Sequence, residues 1–177
     1  PGWKIGAGEI GDKDFLKHVS STGKPVLISS GMSSWSELDR AVGWVREENT
    51  KYAIYQCTST YPCPPEKLGL NNIQLIRDRY RCPVGLSDHS GMIYAGLSAV
   101  TLGINLLEVH VVLSPHCFGP DTTSSLTIEE LKQLIEGIRF IEKVMSCPVD
   151  KDVVSEELSE MKWLFGKSLV ATRQLDR

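Results

Sequence analysis

The chain has 177 residues, a formal net charge of -3, and 41% hydrophobic against 23% charged residues, values of an ordinary globular domain rather than of a disordered or fibrous chain. It has no Lys/Arg cluster, so its surface is not built to neutralise nucleic-acid phosphates or anionic lipid head groups. No apolar run approaches the roughly 18 residues of a membrane span, and Pro1-Gly2-Trp3-Lys4 lacks the features of a signal peptide. These features predict a cytoplasmic protein with small-molecule partners, no nucleic acid and no membrane.

From Lys4 to about Met145 one theme recurs: a short β-branched run, a polar turn, then a longer amphipathic helix. Trp3–Gly8 reads as a first strand. After it comes a short, mostly polar helix carrying His18. Pro25–Ser30 is a second strand, and Ser34-Trp35-Ser36-Glu37 is a capping box opening a helix to about Glu48, with Leu38, Ala41, Val42 and Val45 on one face. A third strand, Tyr52–Cys57, leads through the proline-rich loop Tyr61–Pro65 to a helix near Asn71–Tyr80, on which Ile73, Ile76 and Tyr80 recur at helical spacing. Pro83–His89 is a fourth strand, followed near Ile93–Leu102 by a helix of small residues that can approach a sheet closely. Ile104–Leu113 is the longest strand signal. Thr127-Ile128-Glu129-Glu130 is a second capping box, opening a helix to about Met145 with Leu131, Leu134, Ile135, Ile138 and Ile141 as its apolar stripe. Asp150–Glu160 predicts one more amphipathic helix, and Trp163 to Arg177 a connection.

Repeated βα units specify a parallel sheet. No Gly-rich phosphate fingerprint opens a helix, and polar residues gather after several successive strands, so a (β/α)₈ barrel is favoured over a doubly wound sheet. A complete barrel takes about 250 residues, and five strands are read here. The chain is therefore expected to be part of a barrel over residues 1–149, with residues 150–177 a C-terminal helix and linker.

Strand parity selects the candidate chemistry. In Leu106–Val112, alternation puts Leu106, Glu108 and His110 on one face and Leu107, Val109 and Val111 on the other. The apolar set must pack on helices, so Glu108 and His110 point toward the barrel interior. Gly85, Ser87 and His89 share a parity on the preceding strand, and His89 falls at its C-terminal end, where barrel active sites lie. Two histidines from neighbouring strands point either to a divalent metal completed by water and substrate oxygens or to a hydrogen-bonded core pair. His18 and His116 read as exposed or structural. The five cysteines, Cys57, Cys63, Cys82, Cys117 and Cys147, are odd in number and lack CxxC spacing, so they read as thiols, with Cys57 and Cys82 as small buried hydrophobes.

Lys4–Glu9, Gly23–Met32, Cys57–Pro62, Gly85–Ser90, Glu108-Val109-His110 and Gly119-Pro120-Asp121 stand in the order and spacing of motifs of one family, each after a strand. Together they resemble the sialic acid synthase (N-acetylneuraminate synthase) family, which condenses phosphoenolpyruvate with an N-acetylated amino sugar and releases phosphate. The resemblance spans nearly the whole chain. It implies a (β/α)₈ TIM barrel of which strands four to eight are present, followed by a linker toward an antifreeze-like domain, and a homodimer in the complete protein. It also implies that His89 and His110 bind Mn²⁺, with Mg²⁺ as the alternative. Lys4, Glu9 and Asp121 match catalytic and sugar-binding positions, and Ser29, Ser59, Tyr61 and Ser87 match substrate-binding ones.

On that pattern the residues on strands one to three, including an acidic group near the metal, and an arginine from the small domain have no counterpart here, so the 177-residue chain alone is expected to be inactive. Ala7, Val109 and Thr122–Ser125 depart from the family pattern, which leaves the acceptor sugar open: N-acetylmannosamine, a diacetamido hexose, or another. Two other readings stand beside this one: a non-catalytic or truncated sugar-binding α/β domain, and a class I aldolase with Lys4 as Schiff-base nucleophile.

Overall fold

The computed structural model describes residues 2–153 and 155–174. By internal contacts the chain divides into a unit Pro1–Met145 and a unit Ser146–Arg177. In the first, six strands form one parallel sheet in chain order: β1 (Trp3–Ile5), β2 (Val26–Ser29), β3 (Tyr52–Cys57), β4 (Val84–Asp88), β5 (Leu106–Val112) and β6 (Ser125–Thr127). Helices α1 (Lys13–Ser21), α2 (Trp35–Glu47), α3 (Asn72–Tyr80), α4 (Ile93–Thr101) and α5 (Ile128–Ser146) alternate with them. All five expected strands form. The sixth is three residues long, too short to carry a periodicity, and was not expected.

The sheet's register sorts its side chains into two faces. Ser29 pairs with Tyr55, Tyr55 with Gly85 and Gly85 with Leu106, while Cys57 pairs with Ser87 and Ser87 with Glu108. One face therefore carries Ser29, Tyr55, Cys57, Gly85, Ser87, Glu108 and His110 together with Lys4. The other carries Ile5, Val26, Ile28, Ile54, Val84 and Leu86, all essentially fully buried in one cluster with Leu16, Val42, Val45, Ile73 and Ile76 of the helices. That apolar layer holds the sheet to its helices and leaves the polar face to the barrel interior. It is the curled parallel sheet of a partial (β/α) barrel.

Local chemistry sets the helix ends. Ser34 Oγ accepts from the Glu37 backbone N–H, and the Glu37 carboxylate accepts from the Ser34 N–H at 2.8 Å, closing the expected box. Thr127 and Glu130 do the same for α5. The small residues of α4 earn their place: a Cβ at Gly96 would meet Leu107 at 2.9 Å and Leu134 at 3.0 Å.

Two helical expectations need correction. On α5 the inward stripe is Leu131, Leu134, Ile138 and Ile141, while Ile135 is exposed, because it lies a further 100° round the helix from Leu134. In the second unit the helix α6 spans Glu156–Phe165, so Trp163-Leu164-Phe165 is helical rather than the start of a connection. Gly166 ends it, with its N–H on the Lys162 carbonyl at 2.9 Å. The last three residues of the expected connection lie outside the described residues.

Candidate active site at the C-terminal ends of the strands

The chemistry gathers in two adjoining clusters on the polar face. The first is built on the histidines. His89 follows β4 directly and is buried. Its Nδ1 lies 2.9 Å from the Thr58 carbonyl, which can only accept, so Nδ1 carries a proton and in the neutral ring Nε2 is the free lone pair. Tyr61 Oη lies 3.1 Å from that Nε2, and the Tyr61 ring stacks on the imidazole at 4.1 Å between centroids. The loop carrying Tyr61 is pinned by a bond from the Cys63 N–H to the His89 carbonyl at 2.9 Å. His110, on β5, sits edge-on to His89 with centroids 5.2 Å apart, and its Nδ1 is 3.7 Å from Asp121 Oδ2.

Cys57 Sγ faces His89 Nδ1 at 4.0 Å and Ser59 Oγ at 3.9 Å. Burial pushes its thiol up, but hydrogen bonds from His89 and Ser29 outweigh burial and hold it below the ordinary thiol value. Burial pulls His89 down, whereas Cys57 and the Thr58 carbonyl raise it by more. Cys57 is thus buried as expected but among polar groups, on the interior face. Cys82 packs against the apolar cluster. All five cysteines are free thiols.

The second cluster lies across β1, β3, β4 and β5. Lys4 Nζ is 2.6 Å from Glu108 Oε1, and the Ser87 hydroxyl donates to the same oxygen at 2.7 Å. The Lys4 ammonium also lies 5.0 Å from the centroid of the Tyr55 ring. Burial raises the Glu108 carboxyl, while Lys4 and Ser87 lower it further, so the net direction is downward.

Parity therefore brings Lys4, Ser29, Ser87, His89 and His110 onto one face, and loops add Ser59, Tyr61 and Asp121. Glu9 is not brought in. It is exposed, and its carboxylate accepts from the backbone N–H of Gly6 at 3.0 Å in its own turn. His18 and His116 are exposed. The sequence reading passed over Tyr55 and Cys57 as site residues, although their alternation with Gln56 marks the face they share with Ser29. It also missed a cleft of about 610 Å³ beside Cys57 and Ser59, between the first turns of α2 and α3 and lined by Met32, Trp35, Gln56, Lys67 and Asn72.

Imidazoles and hydroxyls gathered toward the C-terminal ends of parallel strands, with a lysine on the same face, stand where (β/α) barrels carry their active sites. Comparison with known proteins gives the family: residues 1–150 match the NeuB family model, and the chain belongs to the NeuB family, that of the sialic acid synthases. It is 33% identical to N,N'-diacetyllegionaminic acid synthase of Campylobacter jejuni, over 99% of this chain and 53% of that protein. It is 32% identical to human N-acetylneuraminate-9-phosphate synthase, over 97% of this chain and 47% of that protein. Among solved structures, N-acetylneuraminic acid (sialic acid) synthetase of Leptospira borgpetersenii, in complex with citrate, superposes with a TM-score of 0.80 at 27% identity, covering 92% of this chain and 57% of that one. The chain thus spans about half the length of the curated relatives it matches.

Proposed function

We propose that β1–β5 are strands four to eight of the catalytic barrel, with β6 a short accessory strand beside β5, in a cytoplasmic, homodimeric synthase that joins phosphoenolpyruvate to an N-acetylated amino sugar. The product is a nine-carbon 2-keto sugar acid, and phosphate is released. The observation that carries the reading is the meeting of His89, His110, Tyr61 and Asp121 beside the Lys4–Glu108–Ser87 cluster, in a chain of a family whose named members are sialic, legionaminic and pseudaminic acid synthases.

The histidines suit a divalent metal of the Mn²⁺ or Mg²⁺ kind. His89 has its Nδ1 on the Thr58 carbonyl, which fixes the tautomer with the lone pair on Nε2, where an ion would replace the Tyr61 hydroxyl that lies 3.1 Å away, and His110 stands edge-on beside it as the second imidazole. Among the described residues no third His, Cys, Asp or Glu joins them in a metal-binding group, so water and substrate oxygens complete the set. Bound there, the ion supplies a Lewis acid for an aldehyde oxygen.

The chain's own residues then divide the work. Lys4 offers an ammonium to the phosphate or carboxylate of phosphoenolpyruvate, with Ser29 and Ser59 as neighbouring polar groups. Tyr61 and Asp121 orient the sugar beside the histidines, and Glu9 joins them if its turn opens on binding. Carbon 3 of phosphoenolpyruvate bonds to the aldehyde carbon, water adds to carbon 2, and the tetrahedral intermediate expels phosphate with cleavage of its C–O bond. A Schiff-base role for Lys4 is disfavoured, because a lysine salt-bridged at 2.6 Å to a carboxylate is a fixed cation rather than a free amine.

The test uses the full-length protein. Phosphoenolpyruvate and N-acetylmannosamine or a diacetamido hexose should release phosphate, and chelation should abolish the release. The His89→Ala, His110→Ala double variant should lose bound metal. Phosphate release that survives chelation, or metal content unchanged in the double variant, would overturn the reading.

A further inference from the structure

Glu108 is an anomaly in a site for an anionic substrate, since an inward carboxylate repels phosphate and carboxylate alike. Its geometry resolves the anomaly. One oxygen, Oε1, takes both the Lys4 ammonium at 2.6 Å and the Ser87 hydroxyl at 2.7 Å. In this arrangement the Ser87 hydroxyl is directed at Glu108.

Lys4 needs holding. It stands on a three-residue strand, its side chain is 31% exposed, and a free lysine stem has many rotamers to lose. The ring of Tyr55 supports the ammonium from one direction at 5.0 Å and the Glu108 carboxylate from another. Tyr55 is itself fixed: it is buried, and its ring occupies the space opened by Gly85, where a Cβ would lie 2.6 Å from it. Of the three N–H groups of Lys4, one is used by Glu108 and two remain for an incoming anion.

We propose that Glu108 is a positioning residue that, braced by Ser87 and working with the Tyr55 ring, holds the Lys4 ammonium in the barrel interior ready for an anionic substrate. Ser87 on this account is a brace and not a donor to the substrate. The inference takes its ligand, phosphoenolpyruvate, from the function proposed above.

A set of double-mutant cycles in the full-length protein tests it, read by calorimetric binding of phosphoenolpyruvate and by the split between KM and kcat. Glu108→Gln keeps the shape and removes the charge. It should weaken binding by about tenfold and raise KM more than it lowers kcat, with metal content unchanged, and Glu108→Asp should recover part of the loss. In a Lys4→Ala background the same Glu108→Gln change should alter binding by less than about twofold, because a group acting through Lys4 has nothing left to act on. Ser87→Ala should likewise be silent once Glu108 is Gln. Losses that add in either cycle, or no loss in Glu108→Gln, would overturn the proposal. If the wild type binds no phosphoenolpyruvate, the proposed function falls, and a crystal structure of Glu108→Gln still decides the positioning claim: Lys4 Nζ displaced from its interior position supports it, and an unmoved Nζ overturns it.

Discussion

At the scale of single residues, close packing on the polar face makes the sharpest prediction. A Cβ at Gly85 would lie 2.6 Å from the Tyr55 ring and 2.7 Å from the Leu106 backbone oxygen, and the backbone cannot yield cheaply. Gly85→Ala is expected to destabilise the fold by about 1–3 kcal/mol, measurable by urea unfolding; an unchanged midpoint would show that the ring relaxes freely. A second prediction concerns Asp39, which receives two bonds from the Arg79 guanidinium and one from the Tyr80 hydroxyl. Arg79 holds its carboxyl down to about 2, against the cost of burial, with Tyr80 adding to the effect. A folded pKa below the unfolded value of about 3.9 means the stabilisation is present above pH 4 and lost as pH falls through about 2. Because the pair is largely exposed, Asp39→Asn should lower Tm by only about 1–3 °C at pH 7, with the gap to wild type closing between pH 4 and 2. A gap that stays constant over that range would refute the assignment. The convergence of His89, His110 and Glu108 was legible because strand alternation is strict and the opposite face is plainly apolar. Tyr61 stacking on His89 and Asp121 approaching His110 were not legible from spacing, since both come from irregular loops. Glu9 shows the converse: a motif position whose carboxylate a local backbone N–H has taken.

At the scale of elements, capping chemistry was the most readable signal, because Ser34/Glu37 and Thr127/Glu130 satisfy one another within four residues and need no tertiary information. Thr127 also ends β6, so one residue both closes a strand and opens α5. Thr127→Ala should cost about 1 kcal/mol in urea unfolding, and an effect below a few tenths would mean that Glu130 alone holds the helix start. The strand β6 itself escaped notice because Ser125-Leu126-Thr127 is defined by its partner, His110–Val112, rather than by its own pattern. The α6 boundary moved toward the C-terminus: the Ser155 side chain makes no capping bond to mark the start, and Gly166 ends the helix with its N–H on the Lys162 carbonyl.

At the scale of the whole molecule, the sheet of the first unit is open. Among the described residues the strand order runs from β1 to β6 without closure, which leaves β1 as one edge. On the other side β6 covers His110–Val112 only, so Leu106–Val109, paired on one side with β4, keep their second side unpaired within the sheet. Unpaired strand edges recruit partners. The 177-residue chain, prepared by itself, is therefore expected to self-associate in light scattering across a concentration series; a concentration-independent monomer at tens of micromolar with cooperative unfolding would contradict this.

The short pairing of β6 with β5 also acts as a reading-frame stop. A parallel strand arriving at that edge finds free backbone groups along four residues and then meets β6, so it cannot slide upward along β5. Since a slip of one residue would exchange its inward and outward side chains, three residues of Ser125–Thr127 set the height at which any such neighbour presents its chemistry to His110.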